Sequence, residues 1–355
     1  MFLRELVECE SPSDDPAALV RFADLFAARV ADIAAPRRAG NHLVCDFEWT
    51  GGEGQILALG HMDTVWPLGT LRGMPWQEAG GRLHGPGIFD MKAGLAFFVF
   101  AMRALRELHV PLRRRVVLQI NSDEEVGSES SRPLTEQNAR AAVAVLVLEP
   151  AAGLDGKLKT ARKGVGDYTV RVTGRAAHAG LDFSSGASAI VELARQITAI
   201  SEFTDLARGI TVNPGVISGG TRTNVIAPEA RVEVDMRVAR AEDAAELDHK
   251  FRSLAPVDKR CSIEITGGLN RPPLERTEAV ANLFAHAQKL ARDLGVELGE
   301  TSVGGGSDGN FTAPLAPTLD GLGAVGDGAH AAHEHILIDR IADRVALLAK
   351  LVATL

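Results

Sequence analysis

Carboxylates and imidazoles gather in five short segments of this chain: GHMDTV, GIFDMK, NSDEEVGS, VLEP and DGAHAAHEH. In the first, His61 and Asp63 follow the apolar run QILALG. Two residues apart in extended backbone, their side chains point the same way. His61 then offers one ring nitrogen to a metal while Asp63 holds the other, fixing the tautomer and raising the basicity of the ligand. In the second, Asp90 ends a Gly/Pro loop just before an apolar helix. That position suits an N-cap, and it also suits a rigid carboxylate that bridges two metals. In the third, Asp123, Glu124 and Glu125 follow another apolar run. Three adjacent carboxylates repel one another unless water screens them or cations neutralise them. The chemical reading has one Glu ligate metal while its neighbour takes a proton from water.

Glu149 closes an otherwise apolar strand. An isolated buried carboxylate is costly, so its position implies a compensating partner. The last segment holds His330, His333 and His335 in a Gly-rich loop, at least one of them exposed and incidental. Mixed nitrogen and oxygen donors with no thiolate suit Zn2+, with Co2+ and Mn2+ as alternatives. A bridging carboxylate sets two ions about 3.5–4 Å apart, the spacing of co-catalytic hydrolases.

The elements that must position these groups follow from hydrophobic periodicity. Helices are predicted over 17–34, 91–108, 278–294 and 338–354, with Gly94 marking a close approach. Apolar runs at 42–49, 55–60, 113–122 and 142–150 read as strands of a mixed sheet covered on both faces. All five segments are expected at the carboxyl edge of that sheet, where ligands sit in open α/β folds. The texture changes near residue 163. Strands at 167–174, 209–217, 223–238 and 261–266 alternate with helices at 187–200 and 241–254. This is the β-α-β-β-α-β order of a ferredoxin-like unit. The expected organisation is therefore an α/β catalytic domain formed by 1–162 and 269–355, interrupted by a smaller domain at 163–268.

Length and composition bound the function. The 355 residues suit about two domains of roughly 150 residues. Hydrophobic residues are 46% and charged residues 24%, which excludes global disorder. The net charge of -8 is unclustered and gives nucleic acid no basic face. No apolar run is long enough for a membrane span, and the first residues do not read as a signal peptide. Cys9, Cys45 and Cys261 are sparse and unmatched, as expected of reduced thiols in the cytoplasm.

GHMDTVWP, GPGIFDMKAG, NSDEEVGS, VLEP, AAHAG, GTRTNVIAPEA, VDMR, GGGSDG and GAHAAHE occur in one order over nearly the whole chain. In that order they resemble the aminoacylase/glutamate carboxypeptidase family of di-zinc metallopeptidases, and within it the bacterial folate-hydrolysing glutamate carboxypeptidases. The resemblance implies that His61 and Glu149 bind one zinc and Glu125 and His330 the other, with Asp90 bridging. It implies His330 rather than His333 because His330 follows Gly-Ala and has Glu334 four residues on. Asp63 would orient His61, and Glu124 would be the general base and later the acid. The inserted domain would dimerise two chains, and its His178 would reach the partner's active site to stabilise the oxyanion. Asn224 and Arg237 would hold the carboxylate end of the substrate, and Gly305 of the Gly304–Gly306 run would line the pocket with backbone donors. Lys157 and Arg271 match cationic positions that bind glutamate carboxylates, which suits a dicarboxylate leaving group.

The activity so implied is release of a C-terminal amino acid, glutamate foremost, from N-acyl or peptidyl substrates. The alternative is an N-acyl-amino-acid deacylase of the acetylornithine or succinyl-diaminopimelate type. A metal-binding protein without catalysis would not need the Glu124–Glu125 pair and His178. A phosphate-cradling reading of GGGSDG lacks the following Lys-Ser/Thr.

Overall fold

The computed structural model describes residues 2–355. Two compact units divide the chain. One comprises Met1–Ala161, Leu274–Val303 and Ser307–Leu355, the other Arg162–Pro273 and Gly304–Gly306.

The first unit is built on a six-stranded mixed sheet. Its strands run, edge to edge, Ala35–Ala39, His42–Asp46, Arg115–Asn121, Gln55–His61, Ala142–Val147 and Thr318–Leu319. The four from Arg115–Asn121 to Thr318–Leu319 are parallel to one another, and the two at the other edge pair antiparallel. Alternation along Gln55–His61 explains its apolar sequence. Ile56 and Ala58 enter one core with Phe22, Phe98 and Leu348, while Leu57 and Leu59 enter a second core on the opposite face. The strands Arg115–Asn121, Gln55–His61 and Ala142–Val147 end together, so their carboxyl ends deliver Asp123–Glu125, His61 and Glu149 to one edge.

Helix Ala93–Glu107 is buried along most of its length and packs against Ile341–Thr354. A Cβ on Gly94 would stand 2.0 Å from the Leu148 carbonyl oxygen, so glycine alone allows this helix to lie against the chain leading to Glu149. A smaller sheet of Gly326–Asp327, His335–Leu337, Arg82–His84 and Gln77–Ala79 flanks the Gly85–Asp90 segment.

The second unit is a four-stranded antiparallel sheet ordered Thr211–Gly219, Glu229–Val238, Gly164–Thr173, Ser262–Arg271. That order and the helices Ala189–Ser201 and Ala241–Arg252 give the expected ferredoxin-like pattern. Alternate residues such as Val170, Val172, Val232 and Val234 form its core with Leu193, Leu247 and Phe251.

The last strand continues past the predicted end at 266. Gly267 and Gly268 break the apolar alternation, yet Gly267, at φ +93, still pairs with Tyr168. Helix Pro16–Val30 stops short of the predicted 34, because Ala35–Ala39 leaves it as an unforeseen edge strand. Among the described residues no helix is long and apolar enough to cross a membrane.

Gly94→Ala tests the packing of the central helix. The added methyl must displace backbone, so urea unfolding should show a loss of about 1–3 kcal/mol; an unchanged midpoint would remove the close approach from the account.

Candidate metal centre

His61 is the last residue of its strand and its side chain is 2% exposed. Nδ1 lies 2.9 Å from the main-chain oxygen of Asp63 and 3.5 Å from that residue's carboxylate. The ring is therefore held chiefly by the carbonyl, where the carboxylate was expected. A carbonyl only accepts, so Nδ1 carries a proton and Nε2 faces inward, the nitrogen that a metal ion would claim. The Asp63 carboxylate, with no exposure, does something further. It accepts the Ser13 hydroxyl at 2.9 Å and the main-chain N–H groups of Glu124 and Glu125 at 3.2 and 3.1 Å. One residue thus orients the imidazole and fixes the acidic turn beside it.

His61 Nε2 lies 3.2 Å from Asp90 Oδ1 and 3.4 Å from Glu149 Oε1. His330 Nε2 lies 3.4 Å from Asp90 Oδ2 and 3.1 Å from Glu125 Oε1. Two triads result, His61–Asp90–Glu149 and Asp90–Glu125–His330, each with donor atoms within 4.8 Å of one another. Asp90 belongs to both, one oxygen toward each imidazole. Glu149 finds in His61 the partner its burial required.

Asp90 is not the N-cap that its position suggested. The α-helix begins at Ala93, and Asp90 has extended backbone at φ -113, ψ 96. Nor does a strand end deliver it. Asp90 lies in the distorted helical turn Ile88–Lys92 and His330 in a loop, where it adopts φ +60. The loop before Asp90 is held instead by Glu334, a residue sequence reasoning used only as a landmark. Its wholly buried carboxylate accepts main-chain N–H groups of Gly87, Phe89 and Asp90 at 2.8–3.0 Å and the Trp66 indole at 2.9 Å. The signal that could have found it is an acid between two His in a Gly-rich loop.

The electrostatics show a surplus of negative charge. Burial alone would lower the His61 pKa, yet hydrogen bonds to Asp63, Asp90 and Glu149 raise it well above its ordinary value. Asp90 and Glu125 raise His330 to about 10, against a smaller burial effect. Asp90 is held low despite burial, because His330 and His61 both face it, whereas burial pushes Glu125 up. Protons are drawn onto two imidazoles because three carboxylates crowd them. Divalent cations would take the place of those protons. Each triad offers one imidazole and two carboxylates with no thiolate, a donor set that fits Zn2+, Co2+ or Mn2+.

The other singled-out residues lie as follows. In the first unit, the Lys157 ammonium pairs with Asp155 at 2.9 Å in a groove lined by Gln288, Leu298, Arg340 and Asp343, none of them a cage residue. In the second unit, His178 and Asn224 stand on adjoining segments, where His178 bridges Val225 and Ala179 donates to the Asn224 carbonyl at 3.0 Å. His178 is exposed, and its Nδ1 accepts the N–H groups of Gly180 and Leu181, both at 3.1 Å. Arg237 is engaged by Asp235 at 2.8 Å. Arg271 is 5% exposed at the end of its strand. Gly305 and Gly306 serve as carbonyl acceptors for Arg162 at 3.1 and 3.0 Å, in place of the donors expected there.

A mixed-sheet unit with an inserted ferredoxin-like unit and a double His/carboxylate cage define a metal-dependent hydrolase. Residues 57–354 match peptidase family M20/M25/M40, and the chain belongs to that family. Carboxypeptidase G2 of Pseudomonas sp. is 29% identical over 366 residues, spanning 99% of this chain and 88% of that protein. Succinyl-diaminopimelate desuccinylase of Aromatoleum aromaticum is 28% identical over 360 residues, spanning 95% of this chain and 91% of that protein. Among solved structures, aminopeptidase PepT of Bacillus cereus superposes with a TM-score of 0.82 at 22% identity, covering 99% of this chain and 96% of its own. An M20 metallo-carboxypeptidase of Sulfolobus solfataricus gives 0.74 at 16%, covering 99% and 97%. These two likenesses establish the fold. Amide-bond hydrolysis is the reaction the family and its relatives support.

Glu334→Gln should weaken zinc binding about ten- to a hundredfold by loosening the loop that presents Asp90. Competition against a chromophoric chelator measures it, and unchanged affinity would deny Glu334 this positioning role.

Proposed function

We propose that this chain is a di-zinc hydrolase that releases a C-terminal amino acid, glutamate foremost, from N-acyl or peptidyl substrates. The observation that carries the two-ion reading is Asp90, whose two oxygens belong to separate triads. His61 and Glu149 would hold one zinc, Glu125 and His330 the other. Bound there, the pair supplies Lewis acidity that acidifies water and polarises a carbonyl.

The chain's own residues do the rest. Asp63 fixes the Glu124–Glu125 turn, so Glu124 sits beside the cage as the base that takes a proton from the attacking water and passes it to the leaving amine. With its Nδ1 accepting two backbone N–H groups, His178 has Nε2 as its donor, which it would offer to the carbonyl oxygen in the partner chain's site as charge develops. Asn224 and Arg237 would receive the carboxylate end of the substrate, with the substrate displacing Asp235 from Arg237.

The preference for glutamate rests on Arg271 and on the likeness to carboxypeptidase G2. Lys157, already paired with Asp155, adds less than its spacing promised. The succinyl-diaminopimelate desuccinylase relative supports the second reading, deacylation of an N-acyl amino acid by the same machinery. The second unit would pair two chains. Leu181, Phe183, Ile190 and Val191 are exposed on it, and Val216 and Ile217 are exposed on its edge strand, an apolar surface fit for a second copy.

Glu124→Ala should keep its zinc and lose about 10²–10⁴ in turnover; retained activity would remove Glu124 from the role of base. Arg271→Met, which keeps a buried stem, should lower kcat/KM about 10- to 100-fold for substrates releasing glutamate and leave neutral leaving groups unaffected. An equal loss across a panel of N-acyl and peptidyl amino acids would favour the deacylase reading.

A further inference from the structure

Outside the cage, one imidazole has an unanswered nitrogen. His335 is 6% exposed, and its Nδ1 lies 2.9 Å from the His333 carbonyl. A carbonyl accepts, so Nδ1 bears the proton and Nε2 is a bare lone pair. That Nε2 is buried and has no hydrogen-bond partner among the described residues. A buried unpaired acceptor is destabilising and calls for an explanation.

The explanation lies across the small sheet. Antiparallel pairing sets His84 directly opposite His335, so both side chains leave the same face. Their ring centroids are 5.3 Å apart with planes tilted by 38°. Burial together with the neighbouring His335 lowers the His84 pKa, which favours the neutral ring. A neutral imidazole carries a single ring proton, so His84 also has a bare nitrogen to present. The register runs on to Asp327 beside His335, placing a carboxylate next in the row.

We propose that His84 and His335 form an auxiliary clip for one divalent transition ion, Zn2+ foremost, separate from the His61–Asp90–His330 cage. Two imidazoles at this separation can each approach an ion at about 2.0–2.1 Å, with water completing the shell. The device is the one seen at His61: a ring N–H held by a main-chain carbonyl two residues away, with the opposite nitrogen turned to the metal. His84 is the half-buried member, so the ion enters from its side. An ion held there ties Arg82–His84 to His335–Leu337. One strand leads into the Gly85–Asp90 segment, and the other starts beside Glu334, which grips that segment. The clip would therefore steady the presentation of Asp90 without touching substrate.

Elemental analysis of tag-free protein after equilibration with buffered Zn2+ tests this. Wild type should hold one zinc per chain more than His84→Asn or His335→Gln at the same free zinc. His84→Asn should still hydrolyse substrate when zinc is limiting. His61→Ala, which breaks the cage, should keep the extra ion, so loss of the cage and loss of the clip are read separately. Equal zinc content in wild type and both variants across the titration would overturn the clip.

Discussion

One carboxylate between two imidazoles governs this molecule. Asp90 turns one oxygen to His61 and the other to His330, and each imidazole then meets a further carboxylate, Glu149 or Glu125. Gathering acids this closely in a half-buried place is unfavourable unless positive charge is supplied. Protonated imidazoles supply some of it, which is why both histidines are driven upward in pKa. A pair of divalent cations would supply more and release those protons. The arrangement has no comparable rationale as a purely structural feature, because an apolar filling would be cheaper.

The fold serves this constraint in two ways. Three neighbouring parallel strands end together and fix His61, the Glu124–Glu125 turn and Glu149 with little freedom. The other two cage residues, Asp90 and His330, come from outside the strands, and buried carboxylates immobilise what the sheet does not. Glu334 holds the main chain before Asp90, and Asp63 holds the turn of Glu124 and Glu125. Both work by accepting backbone N–H groups, which aligns a segment without adding another metal ligand.

Much of this was legible in the amino-acid order. The period of the apolar residues revealed the central sheet, the long buried helix and the ferredoxin-like insertion, because burial on one or both faces writes itself directly into spacing. His61 and Glu149 were legible because a polar residue at the end of an apolar strand is conspicuous. Less legible were features that depend on where loops fold back. Asp90 reads as a helix cap, yet the helix starts three residues later. The Asp63 carboxylate was expected on the imidazole, whereas its main-chain oxygen lies closer. Glu334 acts on backbone more than 240 positions away, a separation no local pattern encodes. Arg237 and Lys157 read as cations awaiting a substrate, while Asp235 and Asp155 already engage them.

The most direct test of the shared carboxylate is anomalous diffraction from crystals grown with zinc. The account predicts two peaks about 3.5–4 Å apart on either side of the Asp90 carboxylate, one beside His61 and Glu149 and the other beside Glu125 and His330. A single peak at this site, or a pair that Asp90 does not bridge, would contradict it.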